Sequence, residues 1–159
     1  TSINHLAETY DMPILYSCHP RSKKRLDAMG FRLDPRVRLH APLGFHDYNH
    51  LQMNAFCVVS DSGTLPEESS FFLSVGRPFP AVCIRTSTER PEALDKGCFV
   101  LAGIRAGGVE QAVATAVAMN AAGDNGIPVP YYTEDVSNKV VRIIQSYTGV
   151  VNKMVWRKD

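Results

Sequence analysis

Val58-Val59-Ser60-Asp61-Ser62-Gly63-Thr64-Leu65-Pro66-Glu67-Glu68 is the stretch that decides how the chain is read. It opens apolar and β-branched, passes through Asp-Ser-Gly, and leaves through Leu-Pro-Glu-Glu into helical spacing. That is a strand, a tight turn and a helix start. Backbone N–H groups at Ser62, Gly63 and Thr64 are expected to point out of the strand end, where the helix dipole favours an anion. Gly63 lets a ligand come close to the backbone or lets φ turn positive. Glu68 falls about one turn into the helix, where a carboxylate can accept from sugar hydroxyls. The plainer alternative is a capped helix, with Asp61 or Ser62 as N-cap and Pro66 and Glu67 in the first turn.

Around this stretch, short apolar runs alternate with helical patterns. Strands are expected at Pro13–Cys18, Val37–His40, Phe56–Ser60, Pro78–Ile84 and Cys98–Ala102. Helices are expected at Ser2–Asp11, Ser22–Met29, Asp47–Asn54, Pro66 to a stop at Gly76, Pro91–Asp95, Val109–Ala122 and Thr133–Tyr147. Tyr48, Leu51 and Ala55 share one side of the third helix. Val136, Val140, Ile143, Ile144 and Tyr147 form the apolar face of the last. Most strands are continuous apolar runs, as in a sheet covered on both faces. The chain therefore reads as an α/β domain, a Rossmann-like doubly wound parallel sheet. In such sheets ligands bind beyond the carboxyl ends of strands. Those ends carry His19, Leu43 to Tyr48, Ser62 to Thr64, and Arg85 to Glu92, which favours a site over a simple cap.

Size and charge narrow the function classes. The chain has 159 residues, enough for one domain with a proper core, and a net charge of +1, which gives no argument for a nucleic-acid partner. The basic cluster Arg21-Ser22-Lys23-Lys24-Arg25 reads as a solvated helix face. No window approaches the ~20 apolar residues of a membrane span. Cys18, Cys57, Cys83 and Cys98 form no Cys-x-x-Cys pair. They are expected to be small core residues in a reducing, cytoplasmic compartment, not disulfides or metal ligands.

Asp61-Ser62-Gly63-Thr64-Leu65-Pro66-Glu67-Glu68, then Gly76-Arg77-Pro78, then Arg85-Thr86-Ser87-Thr88-Glu89-Arg90-Pro91-Glu92-Ala93 resembles the non-hydrolysing UDP-N-acetylglucosamine 2-epimerases. The family form is Asp-Ser-Gly-Gly-x-x-Glu-Glu, Gly-Lys-Pro and Arg-x-x-Thr-Glu-Arg-Pro-Glu. The likeness runs from Pro13 to about Gly103. The segment from Val136 to Trp156 looks like the capsule and O-antigen branch, whose members make UDP-N-acetyl-L-fucosamine. Two departures fit a changed sugar or helix: Thr64 replaces the second glycine, and the segment from Glu68 to Arg90 is longer than usual.

The resemblance implies two Rossmann-like domains in a glycosyltransferase-B arrangement, with the active site between them. It also implies that this chain is the C-terminal, UDP-binding one. The carboxylates of catalysis would lie in an N-terminal domain absent here, so no catalytic residue is expected in this chain. Its partners would be a UDP-sugar, that N-terminal domain and a second subunit in a homodimer, with no cofactor. By the same resemblance Tyr48 lies against uracil and Leu43 contacts the base from its loop. Ser62, Gly63 and Thr64 donate to the diphosphate, Glu68 accepts from the ribose, and Arg90 approaches the phosphate. His19 is left open between a cleft residue and a structural histidine. Arg85 and Glu89 are possible cleft residues, with Glu89 and Glu92 expected to hold Arg85 or Arg90 in place. A non-catalytic nucleotide-sugar-binding domain remains the alternative. A retaining glycosyltransferase of the same architecture fits the Thr-Glu-Arg-Pro-Glu loop poorly.

Overall fold

The computed structural model describes residues 2–131 and 135–158. The chain divides into two compact units, Thr1–Val129 and Pro130–Asp159.

The first unit follows the alternation of the sequence. Its elements are α1 (Ser2–Tyr10), β1 (Ile14–Ser17), α2 (Pro20–Ala28), β2 (Val37–His40), α3 (Phe45–Met53), β3 (Val58–Ser60), α4 (Leu65–Ser74), β4 (Ala81–Cys83), α5 (Pro91–Asp95), β5 (Val100–Leu101) and α6 (Ala106–Ala121). All strand pairings are parallel. They form two ladders, β1–β2 and β3–β4–β5, with Ile14 opposite Val37, Val58 opposite Ala81 and Val82 opposite Val100. The α/β fold with parallel sheets is the one the sequence predicts.

β4 is the centre of the core. Ala81, Val82 and Cys83 are all buried. Successive strand side chains point to opposite faces. Val82 packs on Ala112, Val113 and Ala116 of α6, with Leu6 and Tyr10 of α1 at the edge of the same cluster. α4 also packs against β4. β4 is thus the strand that meets the expectation of burial on both faces. β1 and β2 do not: Leu15 is 50% and Leu39 42% exposed. Their apolar runs are too short to separate a doubly covered strand from a half-covered one.

Hydrogen bonds fix the connections. The Asn4 side chain donates to the Arg32 carbonyl and accepts from the Asp34 amide, both at 2.9 Å, which ties α1 to the loop before β2. Ser70 Oγ both donates to the Val129 carbonyl, at 3.0 Å, and accepts from the Val129 amide, at 2.7 Å. This holds the connection after α6 against α4. All four cysteines are free; Cys83 and Cys98 are buried, while Cys18 and Cys57 are partly so. Burial pushes the Cys57 thiol up to about 12. Among the described residues no helix is long and apolar enough to cross a membrane.

The second unit carries α7 (Val136–Met154). It extends seven residues beyond the expected end at Tyr147. The expected opening at Thr133 and Glu134 lies outside the described residues. The apolar face expected from Val136, Val140, Ile143, Ile144 and Tyr147 lies on this helix, and none of the helix's residues is buried.

Candidate functional site

The site is built where β3 ends and α4 begins. The N-cap of α4 is Thr64, with Leu65 and Pro66 opening the helix. This shifts the cap from the expected Asp61 or Ser62. Pro66 explains the shift: its missing N–H and fixed φ suit the first turn, and the Leu65 amide still reaches the Ser62 carbonyl at 3.4 Å.

Hydroxyls shape the turn. The Ser62 amide donates to Ser60 Oγ at 3.1 Å, and the Thr64 amide to Ser62 Oγ at 3.2 Å. The expectation of three outward amides is corrected in this respect, because serine side chains cap two of them. The Gly63 amide has no acceptor among the described residues. Ser62 Oγ lies 2.8 Å from Thr64 Oγ1, which donates to Glu68 Oε1 at 2.8 Å. The carboxylate can only accept, so the Thr64 proton points to it and Ser62 supplies the other hydrogen bond.

The second oxygen of Glu68 is held from α3. Gln52 Nε2 donates to Glu68 Oε2 at 2.7 Å and to the Tyr48 hydroxyl at 3.1 Å. Tyr48, Gln52, Glu68, Thr64 and Ser62 therefore form one hydrogen-bonded chain across two helices and a turn. Burial, and then the charge of Glu68, raise the Tyr48 hydroxyl above its ordinary pKa. Gln52 escaped the sequence reading. Tyr48, Leu51 and Ala55 were the residues grouped on one side of this helix, but Leu51 is 38% exposed while Gln52 is 3% exposed. The available signal was its position four residues after Tyr48, which puts both on one helix face.

Cations border the same turn. Arg85 makes a two-pronged bridge to Glu89, both contacts at 2.8 Å. Hydrogen bonding to Arg85 holds the Glu89 carboxyl below its ordinary range. A Cβ on Gly63 would sit 3.4 Å from Arg85 Nη1 and 3.6 Å from Glu89 Oε2. The turn therefore lies beside this pair. Arg90 Nε donates to Glu67 Oε1 at 2.5 Å. Glu89 thus holds Arg85 as expected, whereas Arg90 is held by Glu67, a partner the sequence reading did not name. Asp61, Gly63, Arg85, Thr86, Ser87 and Ile104 border an open cleft of about 610 Å³.

Two expected residues stand outside this network. Leu43 is 38% exposed on the loop before α3. His19 is the N-cap of α2, its Nδ1 accepting from the Arg21 amide at 3.2 Å. Its visible role is the structural one. At the end of the neighbouring strand the Tyr16 hydroxyl is pushed up to about 12 by its hydrogen bond to Cys18, by burial, and by the charges of Cys18 and Asp61.

Residues 1–145 match the family described as UDP-N-acetylglucosamine 2-epimerase. The chain belongs to that family. It is 36% identical over 107 residues to the UDP-N-acetylglucosamine 2-epimerase of Methanococcus maripaludis, which covers 65% of this chain and 28% of the relative. Among solved structures, the UDP-N-acetylglucosamine 2-epimerase of Rickettsia bellii superposes with a TM-score of 0.68 and 37% identity, over 99% of this chain and 42% of that one. The Methanocaldococcus jannaschii UDP-GlcNAc 2-epimerase, solved in complex with UDP-GlcNAc and UDP, superposes with a TM-score of 0.70 and 26% identity, over 91% and 39% of the two chains. The chain thus spans less than a third of the first curated relative and about two-fifths of these two solved chains. The epimerase family resemblance drawn from the Asp61–Glu68 and Arg85–Ala93 motifs is borne out.

Proposed function

We propose that this chain is the UDP-binding, C-terminal domain of a UDP-N-acetylhexosamine 2-epimerase. The observation that carries the reading is the single network running from Tyr48 through Gln52 to Glu68, Thr64 and Ser62. It offers an aromatic face for a base, a carboxylate for a ribose diol, and hydroxyls with the Gly63 amide for a diphosphate, in that order. Tyr48 would stack on uracil. Glu68 would accept from the ribose hydroxyls. The Gly63 amide and the hydroxyls of Ser62 and Thr64 would donate to phosphate oxygens at the start of α4. Arg90 would add a guanidinium, whose planar fork matches phosphate geometry. Leu43 would reach the base from its exposed loop.

In the whole enzyme a base would remove the C2 proton as the C1–O bond to UDP breaks, leaving a glycal. UDP would then re-add at C1 while a proton returns to the opposite face of C2. The proton and the diphosphate both leave and return, so no redox cofactor enters the balance. This domain's part is to hold UDP between the two steps and to stabilise charge gathering on the leaving diphosphate. The proton-transfer groups would come from an N-terminal domain across the cleft, in a homodimeric cytoplasmic enzyme. The Thr64 substitution and the segment from Val136 to Trp156 support the branch that makes UDP-N-acetyl-L-fucosamine for surface polysaccharide.

Calorimetric titration with UDP tests the reading. Saturable binding by the wild-type chain that is weakened in Glu68→Ala supports it. Binding unchanged in Glu68→Ala would remove the ribose role, and a folded wild-type chain that ignores UDP would remove the reading.

A further inference from the structure

Gln52 is an uncharged polar residue at 3% exposure, in a helix whose other residues all remain partly or fully exposed. Its amide nitrogen makes two hydrogen bonds, to Glu68 Oε2 and to the Tyr48 hydroxyl. Its carbonyl oxygen, Oε1, is buried with no partner among the described residues. This orientation has a cause. A carboxylate accepts only, so the nitrogen must face Glu68, and the carbonyl is turned where nothing meets it. A leucine of similar size would bury this position with no orphan oxygen. What the amide provides instead is a fixed place for two side chains from different helices.

The two oxygens of Glu68 are divided between two donors. Thr64 Oγ1, at 2.8 Å, comes from the turn and is itself exposed; Gln52, at 2.7 Å, comes from the interior. Thr64 can rotate towards solvent or a ligand, whereas Gln52 is enclosed. Gln52 is therefore the anchor of the carboxylate, and through the same nitrogen it sets the outer edge of the Tyr48 ring.

We propose that Gln52 is the positioning residue of the nucleoside half of the site. One amide holds the carboxylate of Glu68 and the ring of Tyr48 in register, so that recognition of the ribose diol depends on a residue that does not touch the nucleotide. The inference rests on the nucleotide reading of the site and assigns that reading's ribose specificity to a residue outside the Asp61–Glu68 motif.

The test titrates the full chain with UDP and with 2′,3′-dideoxy-UDP, which lacks the diol. The proteins are wild type, Gln52→Leu, Glu68→Ala and the double variant, each checked by far-ultraviolet circular dichroism. Wild type is expected to prefer UDP by about tenfold, the scale of a hydrogen bond to a charged group. Gln52→Leu brings that preference close to parity by weakening UDP while leaving the dideoxy nucleotide within about twofold. The double variant binds UDP no more weakly than Glu68→Ala alone, because Gln52 acts through Glu68. Gln52→Met, which also fills the site without donating, takes the place of Gln52→Leu if the leucine disturbs the fold.

A folded Gln52 variant that keeps the wild-type preference overturns the proposal. So do losses that multiply in the double variant, which would mark a general packing role. A folded wild-type chain that binds neither nucleotide removes the nucleotide reading and this proposal with it. A wild type that discriminates beside a Gln52 variant that discriminates equally removes the proposal alone.

Discussion

Arg90 Nε lies 2.5 Å from Glu67 Oε1, so a loop guanidinium is held by a carboxylate in the first turn of α4. Arg90 Nη1 also reaches the Glu89 carbonyl, at 3.1 Å. The guanidinium is planar and uses separate nitrogens for these two contacts. A lysine has one ammonium group and cannot make both in the same geometry. Both partners of the ion pair are about one-third exposed, so its contribution to stability is small. Its effect is on where the charge sits.

Replacement of Arg90 is therefore expected to be seen in binding and not in folding. Arg90→Ala should weaken UDP by about tenfold, and Arg90→Lys should recover little of the loss despite its charge. Calorimetry at low and moderate salt reads both. Full recovery by lysine would show that only the net charge matters.

Gly63 allows a second separation of binding from stability. A methyl group there would meet Arg85 Nη1 at 3.4 Å and Glu89 Oε2 at 3.6 Å. Both atoms end flexible side chains on a partly open surface, so the fold can give way. Gly63→Ala should lower stability by less than about 1 kcal/mol. It should weaken UDP at least several-fold, because the methyl stands beside the Gly63 amide, which has no acceptor among the described residues. Urea unfolding and calorimetry decide the matter. A variant that binds UDP as wild type does would place the diphosphate elsewhere.

The elements of the first unit were legible because their signals are local. Val37–His40 and Pro91–Asp95 were read with the bounds they have, since turn residues and proline mark their ends. β4 was read as seven residues and has three, because Phe79 and Pro80 continue the apolar run as buried loop. The Asp61–Glu68 stretch was legible as a strand end, turn and helix start because the turn, the glycine and the acidic helix start are consecutive. Gln52 with Glu68 and Glu67 with Arg90 were not. These partners are 16 and 23 residues apart, and only the tertiary fold brings them together. The apolar stripe of α7 was legible as a stripe, but a stripe does not say what covers it.

Gly126 makes the sharpest stability prediction. Its φ is +81°, and a Cβ there would lie 2.5 Å from the Gly97 carbonyl group and from the Lys96 carbonyl oxygen. These are backbone atoms at the end of α5, and the Ile127 amide donates to the same Lys96 carbonyl at 2.8 Å. Neither chain can yield without losing that bond. Gly126→Ala combines a left-handed backbone with a backbone clash and should cost about 3 kcal/mol or more. Gly123, also at positive φ (+78°) but with nothing within 4 Å of its Cβ position, is the control. Gly123→Ala should cost about 1–2 kcal/mol, from strain alone. Equal midpoints for the two variants in urea would mean that the contact between the Gly97 and Gly126 backbones does not form in solution.

Asp34 supplies the pH dependence. Its two oxygens accept from Arg36 Nε and Nη2, both at 2.8 Å, and Oδ1 also accepts from the Arg36 amide at 2.9 Å. These bonds from Arg36 pull the carboxyl from 3.8 down to about 2. The folded pKa lies below the unfolded one, so the unfolded chain takes up the proton first as pH falls. The stabilisation is therefore fully present above the unfolded value, near pH 4, and is lost as pH falls through about 2. Asp34→Asn keeps an acceptor but not the charge. It should be less stable than wild type at pH 7, with the gap closing between about pH 4 and 2. Urea midpoints measured across that range give the result. A gap that stays constant from pH 7 to pH 2 would show that the carboxylate acts by shape and hydrogen bonding alone, without its charge.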